Sequence, residues 1–279
     1  MEIPHSWRWV GASVRGTSHV RDGTPCQDAS LIRVAGEGPD GRVLVLVCSD
    51  GAGSAAVSDE GSWRAVRSVV ASATNYVADG GRVAAVDENT LADWFRLAAW
   101  QLQEEADAEG RPVRDYACTL LCAVIDREAA AYAQLGDGAI VAGCGDNIET
   151  VFWPQQGEYA NTTFFITAPE HLERVQVRTG AEVPERVALI TDGLQNIALR
   201  MAERVAHPGF FGPLFQDLLR EPEGEVEALQ QPLHDFLDSP QVNARTDDDK
   251  SLLLAVRGIP KPMLAVVEAM RVAEDETAA

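Results

Sequence analysis

The sequence predicts an α+β domain, with antiparallel strands in groups and several helices between them. Three observations carry this: an unbroken apolar run from Val43 to Cys48, two long segments with apolar residues at helical spacing, and a return after Ala117 to short apolar runs joined by tight turns. Trp7 to Ser13 alternates as a first strand, and Arg15 to Gln27 reads as a polar loop carrying Gly16, Gly23 and Pro25. Ala29 to Val34 then pairs with Arg42 to Cys48 through Gly36 to Gly41, a short turn-rich link. The run from Val43 to Cys48 has no polar residue, as suits a strand buried on both faces. Ser58 to Tyr76 carries Trp63, Val66, Val69 and Val70 at helical spacing, and Thr90 to Glu109 repeats the habit with Leu91, Trp94, Leu97, Ala98 and Leu102. Trp63, Trp94 and Trp100 are expected in the core, where their area is best used.

Cys118 to Ile125 and Ala129 to Leu135 flank the turn Asp126-Arg127-Glu128, and Ala139 to Gly143 follows Gly136-Asp137-Gly138, so this stretch reads as an antiparallel meander. Phe152 to Glu170 is mixed. Val175 to Arg178 and Val187 to Thr191 read as strands, Phe210 to Leu219 and Val226 to Phe236 as helices, and Leu252 to Val256 as the closing strand. Gln195 to Pro208 reads equally as a flap or a helix. With no internal repeat, linker or break in composition, residues 1–258 form one domain, and 259–279 a short helix and tail.

Composition narrows the function. The formal charge is −20, which repels nucleic-acid phosphates and anionic membrane surfaces. No apolar run approaches the roughly 18 residues of a membrane span, and the first residues hold no signal segment. Cys26, Cys48, Cys118, Cys122 and Cys144 are odd in number and form no CxxC pair. They read as reduced core residues of a cytoplasmic protein.

The apolar runs are bounded by acids. Asp50 ends Val43 to Cys48 and is followed by Gly51 and Gly53, which let the backbone turn sharply. Alone, this also reads as an ordinary Asp-Gly turn. The pattern recurs, however, at Asp137-Gly138 and Asp192-Gly193, while Asp28 and Asp248 stand ahead of apolar runs. Antiparallel pairing makes Asp28 and Asp50 neighbours. Asp126 lies at the far end of its hairpin from Asp137 and takes a turn role.

Gathered carboxylates need neutralising: a like-charge pair at about 4 Å costs about 1 kcal/mol in water and about 4 at an effective dielectric of 20. No Lys or Arg lies within two residues of Asp50, Asp137 or Asp192, though Lys250 is close to Asp248. Hard oxygen donors without paired His or Cys point to Mg²⁺ or Mn²⁺. Two such ions share an activated water and clamp a phosphoryl group, which suits hydrolysis of a phosphate ester without a protein nucleophile.

The segments GTSHVRDGTPCQDA, VCSDGAGSA, YACTLL, QLGDGAIV, GEYANTTFFIT, LITDGLQ and NARTDDDKSLLLAV resemble, in order and wording, the metal-dependent serine/threonine protein phosphatases of the protein phosphatase 2C family, especially its compact bacterial branch. The resemblance implies a four-layer α-β-β-α sandwich of two antiparallel sheets flanked by helices, with the site in a cleft at one end. It also implies hydrolysis of phosphoserine and phosphothreonine on proteins by a water or hydroxide bridging two divalent metals, in opposition to a serine/threonine kinase. By resemblance Asp28, Asp50 and the Gly51 carbonyl belong to the two-metal core, Asp192 and Asp248 hold the second ion, and Asp137 serves a weaker third. Asp248 is preferred to its neighbour Asp247 because Asp248-Asp249-Lys250-Ser251 aligns with the family's motif before its last core strand.

The chain departs from that pattern at three places. Gln27 stands where many members have Glu, and Ala52 where many have a His that protonates the leaving group. At the place of the family's phosphate-gripping Arg the chain offers His19, then Arg21, with Arg15 weaker. Asn161, Asn243 and Thr246 read as site residues or as caps of loop backbone. Gln27 and Ala52 keep open a pseudophosphatase that binds a phosphoprotein or kinase without turnover, and small phosphate esters are a further substrate class.

Overall fold

The structure, a computed structural model, describes residues 7–36, 42–155 and 163–258. The expected C-terminal helix and tail, most of the Gly36 to Gly41 link and Asn161 lie outside these residues. In chain order the strands are β1 (Trp7–Val14), β2 (Ala29–Ala35), β3 (Val43–Ser49), β4 (Leu120–Ile125), β5 (Ala130–Leu135), β6 (Ala139–Cys144) and β7 (Asn147–Phe152). They continue as β8 (Gln176–Gly180), β9 (Arg186–Ile190), β10 (Leu199–Arg200), β11 (Val205–Ala206), β12 (Gly224–Glu225) and β13 (Lys250–Arg257). The α-helices are α1 (Thr17–Asp22), α2 (Ser58–Ala78), α3 (Glu88–Glu109), α4 (Gln195–Ala198), α5 (Pro208–Arg220), α6 (Gln230–Leu237) and α7 (Pro240–Asn243).

Strand period explains the layers. In β3, Leu44, Leu46 and Cys48 face the opposite sheet and pack with Leu121, Ile140, Leu189 and Leu253, whereas Val43, Val45 and Val47 face α2 and α3. Both faces of β3 are therefore buried, as its unbroken apolar run predicts. One sheet has the order β2-β3-β4-β5-β8 and the other β12-β1-β13-β9-β6-β7. On the outer face of the second, Ala188, Ile190, Leu252 and Leu254 pack against Phe211, Phe215 and Leu218 of α5 and Leu233 of α6. Helices pack on the outer face of each sheet, an arrangement that fits the expected four layers.

Several expectations need correction. The polar loop Arg15 to Gln27 contains α1, which buries no residue and so shows no apolar stripe; Ser18 anchors it by donating from its N–H and hydroxyl to the Asp247 carbonyl. The expected meander is not one, because β5 and β6 lie in different sheets and the Asp137 turn carries the chain between them. Trp94 is buried, but Trp63 and Trp100 are 39% and 56% exposed. Gln195 to Pro208 resolves into α4 and the small β10-β11 hairpin. Strand β7 lies in a stretch read as mixed or left without assignment, because as an edge strand its residues are only exposed to half-buried. All five cysteines are free, with Cys48, Cys118 and Cys122 buried, Cys26 half-buried and Cys144 exposed, so only three are core residues. The Asp126 carboxylate accepts from the N–H groups of Glu128 and Ala129, the turn role expected for it.

Gly61 shows how tightly α2 packs. A Cβ there would lie 2.2 Å from the Tyr116 carbonyl oxygen and 2.8 Å from its carbon. In an open helix Gly→Ala gains about 1 kcal/mol. Against rigid backbone the sign reverses, and Gly61→Ala is expected to destabilise the domain by about 1–3 kcal/mol. A lower urea midpoint with an unchanged slope checks this.

Candidate metal centre

Strand register brings the acids to one end of the sandwich. Ala29 pairs with Ser49, Leu120 with Leu135, Ala139 with Ile190, and Leu252 with Ile190. Asp28, Asp50, Asp137, Asp192 and Asp248 flank those ends, so antiparallel pairing in both sheets converges them. One carboxylate oxygen from each of Asp50, Asp137 and Asp192 lies within 4.8 Å of the other two. Asp28 stands beside this trio, raising the proton affinity of Asp50, and Asp248 does the same for Asp137 and Asp192.

Burial and mutual repulsion hold protons on this cluster when no cation is present. The Asp192 pKa is pushed up to about 7, first by burial and then by the charges of Asp137 and Asp248. Burial also raises Asp28 and Asp50 well above the ordinary carboxylate value, with neighbouring carboxylates adding to it. Asp137 shifts in the same direction, again chiefly by burial, and so does Asp248, whose carboxylate loses water to its surroundings although the residue is exposed at the surface.

A surrounding set of groups, not foreseen from the sequence, fixes these acids. Thr191 and Ser251 donate their hydroxyls to Asp28 Oδ2 at 2.7 and 2.8 Å, leaving the buried Oδ1 without a partner. Ser13 extends the chain, its hydroxyl 2.6 Å from that of Ser251. Thr163 donates to Asp137 Oδ2, and Asp137 Oδ1 is likewise buried and unpartnered. The Asp50 N–H donates to Thr119 Oγ1 at 2.9 Å. Asp249, the third acid of its run, accepts from the Gly16 N–H through Oδ1 and the Gln27 N–H through Oδ2, and His19 Nδ1 lies 3.0 Å away. It ties α1 and the Asp28 loop to β13. The available signal was a hydroxyl or acid in or beside an apolar run, as in Ile190-Thr191 and Lys250-Ser251-Leu252.

The other expected residues fall as follows. A Cβ on Gly51 would lie 2.7 Å from the carbonyl oxygens of both Gln27 and Ser58, so only glycine fits. Gln27 is buried, its Oε1 unpartnered. Ala52 is buried and its N–H donates to the Ala117 carbonyl. Arg21 is exposed and paired with Asp22, while Arg15 donates to the His19 carbonyl. Asn243 binds the Lys250 ammonium through Oδ1 and Asp238 through Nδ2, and the Thr246 hydroxyl accepts from the Asp248 N–H. Lys250 has the strand parity of Leu252, so its charge is directed to the helix side.

These residues fit a divalent metal. The acids offer only hard oxygen donors, Asp28 Oδ1 and Asp137 Oδ1 are buried without a partner, and Lys250 is bound to Asn243.

A sequence profile of the family described as protein phosphatase 2C matches residues 15–238. Serine/threonine-protein phosphatase 3 of Escherichia coli (strain K12) is 38% identical over 252 residues, covering 90% of this chain and 98% of that protein. The serine-threonine phosphatase 2C of Toxoplasma gondii shares the fold with a TM-score of 0.61 at 13% identity, over 92% of this chain and 96% of that one. Stp1 from Staphylococcus aureus gives a TM-score of 0.56 at 17% identity, over 92% and 97%. The profile and the curated relative together define a serine/threonine phosphatase. The chain belongs to the protein phosphatase 2C family.

The raised pKa values set a pH dependence. In metal-free protein Asp192 keeps its proton to about pH 7, whereas an unfolded Asp releases it near the ordinary 3.8. The native state thus binds more protons in that window, and stability falls as pH rises through it. With chelator present, the melting temperature is expected to drop between about pH 5 and about pH 7, and Asp192→Asn to flatten the drop. Equal slopes in the two proteins would refute this.

Proposed function

We propose that this phosphatase hydrolyses phosphoserine and phosphothreonine on proteins with two Mg²⁺ or Mn²⁺ ions, a weaker third lying at Asp137. The observation that carries the reading is the Asp50, Asp137 and Asp192 trio, whose oxygens lie within 4.8 Å of one another. Asp28, Asp50 and the Gly51 carbonyl would hold one side of the pair, and Asp192 with Asp248 the other. When bound, the metals supply a water of lowered pKa and positive charge for the phosphoryl oxygens.

The chain's own groups set the stage. Thr191 and Ser251 fix the Asp28 carboxylate through one oxygen and leave the other for a ligand. Asp249 positions α1, and with it His19 and Arg21, which we assign to gripping the substrate phosphate. The apolar Ala52 donates no proton, so the leaving alkoxide takes its proton from solvent or another group. Loss of general-acid help slows such a reaction by about 10²–10⁴-fold without abolishing it. The reading as a binding module without turnover is not favoured, because all five candidate ligands are present.

No helix among the described residues is long and apolar enough to cross a membrane. We place the enzyme in the cytoplasm, opposing a serine/threonine kinase.

Phosphate release from a phosphothreonine peptide, measured with Mn²⁺, Mg²⁺ and chelator, tests the proposal. Activity should require metal. Changes to residues that merely support metal ligands cost about 10–100-fold, so Asp192→Ala, which removes a ligand, should cost on the order of 100-fold or more. A folded, metal-loaded wild type that releases no phosphate from several peptides would return the binding-module reading.

A further inference from the structure

Helix α4 begins three residues after Asp192, and Arg245 stands three residues before Asp248. Between these two points, roofed by the first turns of α5, lies a hollow of about 480 Å³. Its walls are Ile197, Phe210, Leu214, Phe236 and Val242. Phe236 is 37% exposed, tilted against Phe210 with ring centres 6.0 Å apart. A large aromatic group left open to solvent beside other apolar side chains is a place where a ligand gains from burial.

Charge separates this hollow from the rest of the molecule. The chain carries a formal charge of −20, yet the lining contains no Asp or Glu, and its charged or titratable members are Arg245 and His207. Arg245 is exposed and makes no ion pair among the described residues. His207 Nδ1 is buried without a hydrogen-bond partner. Apolar walls with an unpaired guanidinium suit an anionic, partly apolar peptide.

Reach fixes which part of the peptide. Ile197 is five residues beyond Asp192, roughly 8 Å along helical backbone. An extended chain advances about 3.3 Å per residue, so that distance is two or three residues of a bound peptide. We infer that the hollow takes a large apolar side chain two or three residues from the phosphorylated Ser or Thr, with Arg245 meeting an acidic residue beside it. The inference rests on the phosphoprotein reading given above and names the sequence class that the site selects. Its lining residues Ile197 and Arg245 stand five and three residues from the candidate ligands Asp192 and Asp248, which favours a substrate segment over a second copy of this acidic chain.

The test compares para-nitrophenyl phosphate, too small to span from the metal centre to the hollow, with phosphothreonine peptides carrying Phe, Leu or Gly at each of the three positions on either side, with and without an adjacent Glu. Assays use the Mn²⁺-loaded protein. Wild type is expected to favour Phe or Leu over Gly at one of those positions by about tenfold in kcat/KM, as partial burial of such a side chain supplies. Leu214→Glu should erase that preference and Arg245→Glu should reverse the preference for Glu. Both should leave hydrolysis of the small ester unchanged. Arg245 is exposed, so its variant keeps the test decisive even if Leu214→Glu misfolds. Peptides and small ester turned over with no apolar preference, or with a preference that both variants retain, would overturn the inference. If neither substrate is hydrolysed, the phosphatase reading fails and takes this inference with it.

Discussion

Like charge held at close range is the constraint on which this molecule turns. Asp50, Asp137 and Asp192 bring oxygens within 4.8 Å of one another, and among the described residues no basic side chain forms an ion pair with them. Such a cluster exists in a folded protein only where the scaffold resists relaxation. Here each acid adjoins a strand or turn locked into a core. Asp50 continues a strand buried on both faces, Asp192 follows one whose five residues are all buried, and Asp137 occupies the link between the two sheets. The energy that keeps the acids together thus comes from the apolar layers, and a bound metal ion would relieve what remains.

Polar groups around the acids do a second job, which is to aim them. Two hydroxyls occupy one oxygen of Asp28, one occupies an oxygen of Asp137, and in each case the other oxygen stays buried and unpaired. Asp249 is the counterexample beside them. Both its oxygens accept backbone N–H groups, so its charge is spent on structure. Three consecutive acids therefore have three fates: the Asp247 carbonyl anchors α1, the exposed Asp248 adds its charge to Asp137, and Asp249 braces the loops.

Family membership and local chemistry agree, and the differences are informative. Gln27 keeps its backbone role, its carbonyl accepting from the Gly51 N–H and the Ser62 hydroxyl, while its side-chain oxygen is left buried and unpartnered. One charge fewer near the metal centre weakens repulsion there as it removes a hydrogen-bonding carboxylate. Ala52 fills a buried apolar position and offers no proton donor there.

The sequence by itself determined the acids, the two long helices and most strands, because these rest on short-range patterns: period two, helical spacing, and Asp-Gly at the end of an apolar run. It also placed Asp28 beside Asp50, since a hairpin is local enough to read. Tertiary structure alone decided that the Asp137 turn changes sheets, that Trp63 and Trp100 stay exposed, and that α1 forms on a stretch with no apolar face. It alone joined Thr191 and Ser251 to Asp28 across 163 and 223 residues and gave Asp249 its structural bonds. A hydroxyl or acid beside an apolar run marks a candidate but not its partner, because a hydroxyl or a carboxylate is the same residue whether it faces water, a metal or a neighbour's backbone. Only the packing of one strand end against another says which.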